Sequence, residues 1–145
     1  MKPVVTWIVL ANTREARVLA NRGPGSGLVS LAGRRWTAQE VARLRDKNGA
    51  GRSLAAPAIS AVVQTDGHRR SGALFARTVM GKLSNSHEAK KFDQLVLVAG
   101  PLMLGLMRMA MDQRLKQVLI DEIDRDFSAL PVDALETHLG EVMAV

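Results

Sequence analysis

Apolar residues are spaced along the chain in two alternating patterns. Residues 4–11, Val4-Val5-Thr6-Trp7-Ile8-Val9-Leu10-Ala11, form a near-continuous β-branched and aromatic run closed by the turn formers Asn12 and Thr13. This predicts a central, buried strand. A second short strand is predicted at 16–20. The glycine-rich 23–27 separates it from a third at 28–31, which extends toward Trp36, so that the three form a meander. Thr37 is placed to cap a short helix through Leu44. Beyond it Asn48, several glycines and serines, and Pro57 interrupt any period, and the apolar 58–63 reads as an additional short strand. A connection this long in a small domain is functional, mobile, or hides a missed element.

From Ser71 the spacing of Leu74, Phe75, Val79 and Leu83 predicts an amphipathic helix, running toward Lys90 through a polar break at 84–86. Residues 92–99 read as a buried strand, turned by Gly100 into Pro101, which suits the first position of a helix over 101–111. Met103, Met107, Met109 and Met111 on that helix are read as core. The segment 118–127 is ambiguous. Leu115, Val118, Leu119 and Ile123 have helical spacing, slightly favoured, while Val118 and Ile120 flank a β-compatible stretch. After the break at 128–131, residues 131–142 read as a terminal helix with Leu135, Leu139 and Val142 inward. The order indicates an α/β or α+β fold with a mixed sheet, without internal repeats.

At 145 residues the chain is expected to form a single domain, and its 47% hydrophobic and 23% charged residues are an ordinary globular balance. The apolar run at 4–11 is about half the roughly 20 residues that a membrane span needs, and no cleavage site closes it. A cytoplasmic location is expected. The absence of cysteine excludes disulfides, thiolate catalysis and cysteine-bound metals. Charge changes the picture more. Residues 1–91 hold 16 Lys and Arg against 5 Asp and Glu, and residues 92–145 hold 4 against 9, for the net +6. The basic residues cluster as Arg34 with Arg35, Arg43 with Arg45 and Lys47, Arg69 with Arg70, and Lys90 with Lys91, as phosphate contacts would. A solvated face is the plainer explanation of such a run. With 3% aromatic residues and no tyrosine, base stacking is not expected to dominate binding.

Several segments resemble the bacterial host-attachment proteins, which are grouped with relatives of peptide-chain release factors. The likeness is carried by Lys91-Phe92-Asp93-Gln94-Leu95-Val96-Leu97-Val98-Ala99-Gly100-Pro101 and Leu104-Gly105-Leu106-Met107-Arg108, then by Glu122-Ile123-Asp124-Arg125-Asp126-Phe127, Leu130-Pro131 and Leu135-Glu136-Thr137-His138-Leu139. The amino end joins through Trp7-Ile8-Val9-Leu10-Ala11, Ala16-Arg17-Val18-Leu19 and the glycine-rich turn. Only residues 33–70 fall outside it. The resemblance implies the fold of a release factor's middle domain: a mixed sheet of five strands with helices on its faces, related to ribonuclease-H-like domains. It also implies a strand within 118–127.

A release factor carries a Gly-Gly-Gln loop before its long helix. The matching position here is Thr65-Asp66-Gly67-His68-Arg69-Arg70-Ser71, which lacks that motif, and nearby Gln64 follows Val62 and Val63, without the two-glycine freedom. Catalytic termination is therefore not expected. Gly67, Arg69 and Arg70 would make either a mobile basic loop facing RNA or an ordinary polar loop. A two-metal nuclease would need carboxylates on the first strand, which has none. Asp121, Glu122, Asp124 and Asp126 form a one-sided cluster, better read as an acidic edge that caps or pairs with Arg108 or Arg114. The glycine-rich 23–27 lacks Walker spacing and is read as a hairpin turn. His68, His87 and His138 have no ligand-like spacing and read as loop and surface residues. The expected protein is a binding module without cofactor or metal. It would dock RNA, ribosome or an acidic protein partner through Arg34, Arg35, Gly67, Arg69, Arg70, Lys90 and Lys91. A protein-interaction role acting indirectly in attachment to host cells, and a hydrolase with an unrecognised site, stay open beside it.

Overall fold

The computed structural model describes residues 3–49 and 61–141. Strand β1 (Thr6–Ala11) is buried at every position and bonded on both sides. It pairs antiparallel with β2 (Glu15–Asn21) and parallel with β4 (Gln94–Ala99). Strand β3 (Val29–Thr37) adds antiparallel to β2, and β5 (Leu119–Asp124) adds parallel to β4, giving the order β3-β2-β1-β4-β5. This is the mixed five-stranded sheet that the resemblance implies.

Alternation along β1 divides the core. Trp7, Val9 and Ala11 face a layer made by α2 (Ala61–Glu88), α3 (Pro101–Ala110) and α4 (Gln113–Val118), where Phe75, Val79, Met80, Leu83, Met107 and Leu115 are buried. Ile8 and Leu10 face the other way, toward Leu19, Val96 and Val98, and are covered by Leu135 and Leu139 of α5 (Val132–Leu139). Both faces of β1 and β4 are dry, which is why these strands read as continuous apolar runs. Helix α1 (Ala38–Gly49) starts where expected, with Thr37 Oγ1 accepting from the Glu40 N–H at 3.1 Å.

Several expectations are corrected. Residues 61–63 open α2 instead of forming a strand, and 58–60 lie outside the described residues. The basic segment 65–71 is therefore helix, not loop. Helical glycine costs only about 1 kcal/mol relative to alanine, and the buried positions from Phe75 to Leu83 anchor the helix. At Gly72 the helix passes close to its neighbours, since a Cβ there would stand 3.0 Å from Leu106 Cδ1 and 3.1 Å from Thr13 Cγ2. The polar 84–86 does not break α2. The Ser86 hydroxyl bonds back to the Lys82 carbonyl at 3.0 Å and the Ser84 hydroxyl donates across to Asp112 at the start of α4, so neither competes with the helix ladder. The ambiguous 118–127 segment divides. The helical spacing belongs to α4, ending at Val118, and the β-compatible part is β5. On α3, Met103 and Met107 are buried, and Met111 at its C-cap is too, but Met109 is 85% exposed. Among the described residues no helix is long and apolar enough to cross a membrane.

Leu135→Ala should destabilise the fold by about 2–5 kcal/mol, whereas Met109→Ala should stay within about 0.5 kcal/mol in denaturant melts. Asp112 caps α4 by accepting from the Leu115 N–H at 2.9 Å, and the Ser84 hydroxyl, then that N–H, holds its carboxyl below the usual carboxylate range. A carboxyl depressed on folding contributes stability above its unfolded pKa and loses it as pH falls through the folded value. Acid melts should therefore show Asp112→Asn reducing the loss of stability below about pH 4.

Candidate anion-binding cleft

Strand β3 does not follow β2 evenly. Arg17 faces Arg35 and Leu19 faces Ser30, so residues 31–34 bulge opposite Val18, with Gly33 at φ +79°. Where the bulge ends, the ordinary alternation of the strand sends two neighbouring arginines to different sides. Arg34 lies with its guanidinium carbon 5.2 Å from the Trp7 ring centroid, a cation–π contact on the α2 side of the sheet. Arg35 instead reaches Glu15, Nη2 to Oε2 4.0 Å, beside Arg17. The Arg17 guanidinium donates to the Leu130 carbonyl and is pushed below the ordinary arginine value by burial, then by the charge of Arg35, with Glu15 opposing.

Facing the bulge is the C-terminal end of α2. The Lys90 N–H donates to the His87 carbonyl at 2.9 Å and the Lys91 N–H to the Ser86 carbonyl at 3.0 Å. This double closure normally places glycine at the left-handed position, yet here it is Lys90 at φ +61°. A left-handed L-residue costs roughly 1–2 kcal/mol. Phe92 then enters the core and stacks on Trp7, centroids 4.6 Å apart. Upstream on α2, Lys82 Nζ lies 6.0 Å from the Trp36 ring.

These residues line two adjoining hollows, and His87, Lys90 and Phe92 also border a third of about 780 Å³ that includes Glu88, Asp93 and Arg114. One, about 390 Å³, includes Arg22, Arg34, Lys90 and Lys91 above Trp7; the other, about 360 Å³, includes Arg34, Trp36, Lys82 and Lys91. Arg34 and Lys91 belong to both, and no carboxylate lines either. Among the basic residues picked from sequence, Arg34, Lys90 and Lys91 converge here. Arg35 is on the far face of β3. Gly67, Arg69 and Arg70 are exposed on the N-terminal half of α2, with Arg69 about 30 Å along the helix from Lys90 at 1.5 Å per residue. Arg22 and Lys82 join the cleft, and neither has a basic neighbour in sequence to mark it. Lys82, Asn85, Ser86 and Ala89 share one helical face, an i, i+3, i+4, i+7 spacing that the assumed break at 84–86 concealed.

The remaining candidates have local partners. Glu122 pairs with Arg108, Asp126 accepts from the Ser128 hydroxyl, and Arg114 pairs with Glu88 at 3.2 Å instead of with the acidic strand. Among the described residues no three His, Cys, Asp or Glu side chains are placed to hold a metal. The glycine-rich segment is a turn, with Gly23, Gly25 and Gly27 at positive φ and the Ser26 N–H donating to the Gly23 carbonyl at 3.1 Å. His68 and His87 lie in α2, not in loops. The His87 ring is 5.2 Å from Phe92 with Nδ1 buried and unpartnered, and His138 stacks on Phe127.

The architecture is that of a small α/β domain with a release-factor-like sheet. An archaeal translation termination factor aligns with 96% of this chain at 13% identity and a TM-score of 0.54, and a solved structure titled only as an archaeal protein aligns with 92% at 13% and 0.47. The chain spans about a third of each, 35% and 34% respectively. The curated proteins give no match. The profile of the family described as "Protein required for attachment to host cells" matches residues 7–139, and the chain belongs to that family.

Arg34→Ala should cost about 0.5–1 kcal/mol in urea melts by removing the contact with Trp7, and should alter the native tryptophan emission.

Proposed function

We propose that this host-attachment-family protein is a binding module that docks the phosphate backbone of RNA, free or within the ribosome, in the cleft between β3 and the end of α2. The observation that carries the reading is a surface lined by five cations, Arg22, Arg34, Lys82, Lys90 and Lys91, with no carboxylate among the lining residues. Like charges so gathered repel one another, and a polyanion relieves the repulsion while releasing its own counterions. Arg34 is held over Trp7 before any ligand arrives, which lowers the ordering cost of binding. Docking of this kind depends on backbone charge and not on base identity.

A second reading is docking of an acidic protein partner through the same cleft, within an indirect role in attachment. The family description supports the attachment role alone, and the cations of the cleft support the acidic partner.

Ribosome and RNA co-sedimentation at low and high salt tests the first reading. Salt-sensitive pelleting is expected, with a log–log slope of about −3.5 for five contacts on single strands at about −0.7 each. Arg34→Ala/Lys91→Ala should weaken it and flatten the slope by about 1.4, while Arg69→Ala/Arg70→Ala should leave it nearly intact. Absence of pelleting at any salt overturns the RNA reading, and acidic proteins in a pull-down that the cleft variant loses would establish the second.

A further inference from the structure

Lys90 stands out in the cleft for its backbone. Gly23, Gly25, Gly27 and Gly33 occupy the other left-handed positions among the described residues, and Lys90 is the non-glycine in that group, at φ +61°. The hydrogen bonds of the helix end do not need a side chain there: they run from the backbone N–H groups of Lys90 and Lys91 to the carbonyls of His87 and Ser86, and glycine would make them without strain. Strain kept at a surface position points to what the side chain does. Lys90 is exposed and stands at the corner between α2 and β4, lining the same hollow as Arg22, Arg34 and Lys91. It also borders a larger hollow with Glu88 and Asp93, carboxylates that Arg114 and the Val5 N–H already engage. A cation at a helix C-terminus also interacts favourably with the helix dipole. That role alone would be served by a lysine in the last turn, without a left-handed backbone.

We infer that Lys90 makes the α2–β4 corner a phosphate-gripping subsite, in which the ammonium groups of Lys90 and Lys91 and the guanidinium groups of Arg22 and Arg34 surround one phosphoryl group. The inference deepens the RNA reading and rests on it for the source of that phosphoryl group, but the subsite itself is addressable with inorganic tripolyphosphate. Both tryptophans of the chain line the cleft, Trp7 beneath Arg34 and Trp36 beside Lys82, so their emission reports its occupancy.

The experiment titrates tripolyphosphate, and separately a single-stranded RNA, into the full chain and its Lys90→Gly and Lys90→Arg variants, following tryptophan emission and melting temperature. The parent should respond saturably. Lys90→Gly should bind about tenfold more weakly, as loss of one charge-assisted contact predicts, while its melting temperature holds or rises by up to about 3 °C. Lys90→Arg should bind within about threefold of the parent, since charge and reach are kept. Tripolyphosphate binding that is equal in parent and Lys90→Gly, or no saturable response in the parent, overturns the subsite. If RNA binds without regard to Lys90, the RNA reading stands and the subsite falls. If tripolyphosphate binds through Lys90 and RNA does not bind, the subsite stands and the RNA reading falls.

Discussion

The structure depends on β1 having no face toward water. Six consecutive buried positions, paired on one side with β2 and on the other with β4, require an apolar layer above and below the sheet. The chain supplies α2, α3 and α4 on one side and α5 on the other. Burial of this strand and its neighbours by some 25 cal/mol per Å² of apolar surface is the main favourable term. It also sets where everything else can go. Trp7, in the helix-facing set, is the floor on which both Phe92 and Arg34 rest. The strand that organises the core thereby also positions the cleft.

The cleft exists because two irregularities face each other. The bulge in β3 lifts residues 31–34 away from the regular ladder, and the left-handed end of α2 turns Lys90 and Lys91 toward them. Neither would be tolerated within β1, whose six residues pair in unbroken register on both sides. At an edge strand and a helix end, the unpaired groups have room and solvent. The same placement separates charge: β3, with Arg34 and Arg35, is one edge of the sheet, and β5, with Asp121, Glu122 and Asp124, is the other. The pair of Arg108 with Glu122 neutralises part of the acidic edge, while no carboxylate lines the cleft.

Likeness to a translation termination factor at 13% identity concerns the fold. The segment that the resemblance matches to a release factor's catalytic loop is here part of α2, with Gly67 in open space where a Cβ would meet nothing. Arg69 and Arg70 consequently ride a helix surface, well away from the cations that share the cleft. Family membership over residues 7–139 and the cleft are separate observations, joined only by the proposal that one serves the other.

Elements whose side chains report burial directly were legible from the chain alone: β1 and β4 as continuous apolar runs, α3 opened by Pro101, Leu135 and Leu139 as the inward face of α5, and the basic and acidic halves. Periodicity records what each residue faces, and these residues face the core. The tertiary structure decided the rest. Met109 shares its helix with buried methionines but points to solvent. Arg34 and Arg35 look alike in sequence, and only their place on an edge strand beside Trp7 decides that Arg34 faces the cleft and Arg35 the opposite side. Lys82 joins Lys90 and Lys91 because α2 continues unbroken through its serines. Which cations share a cleft depends on strand order, register and helix ends, and these arise from contacts between residues far apart in the chain that no local pattern encodes.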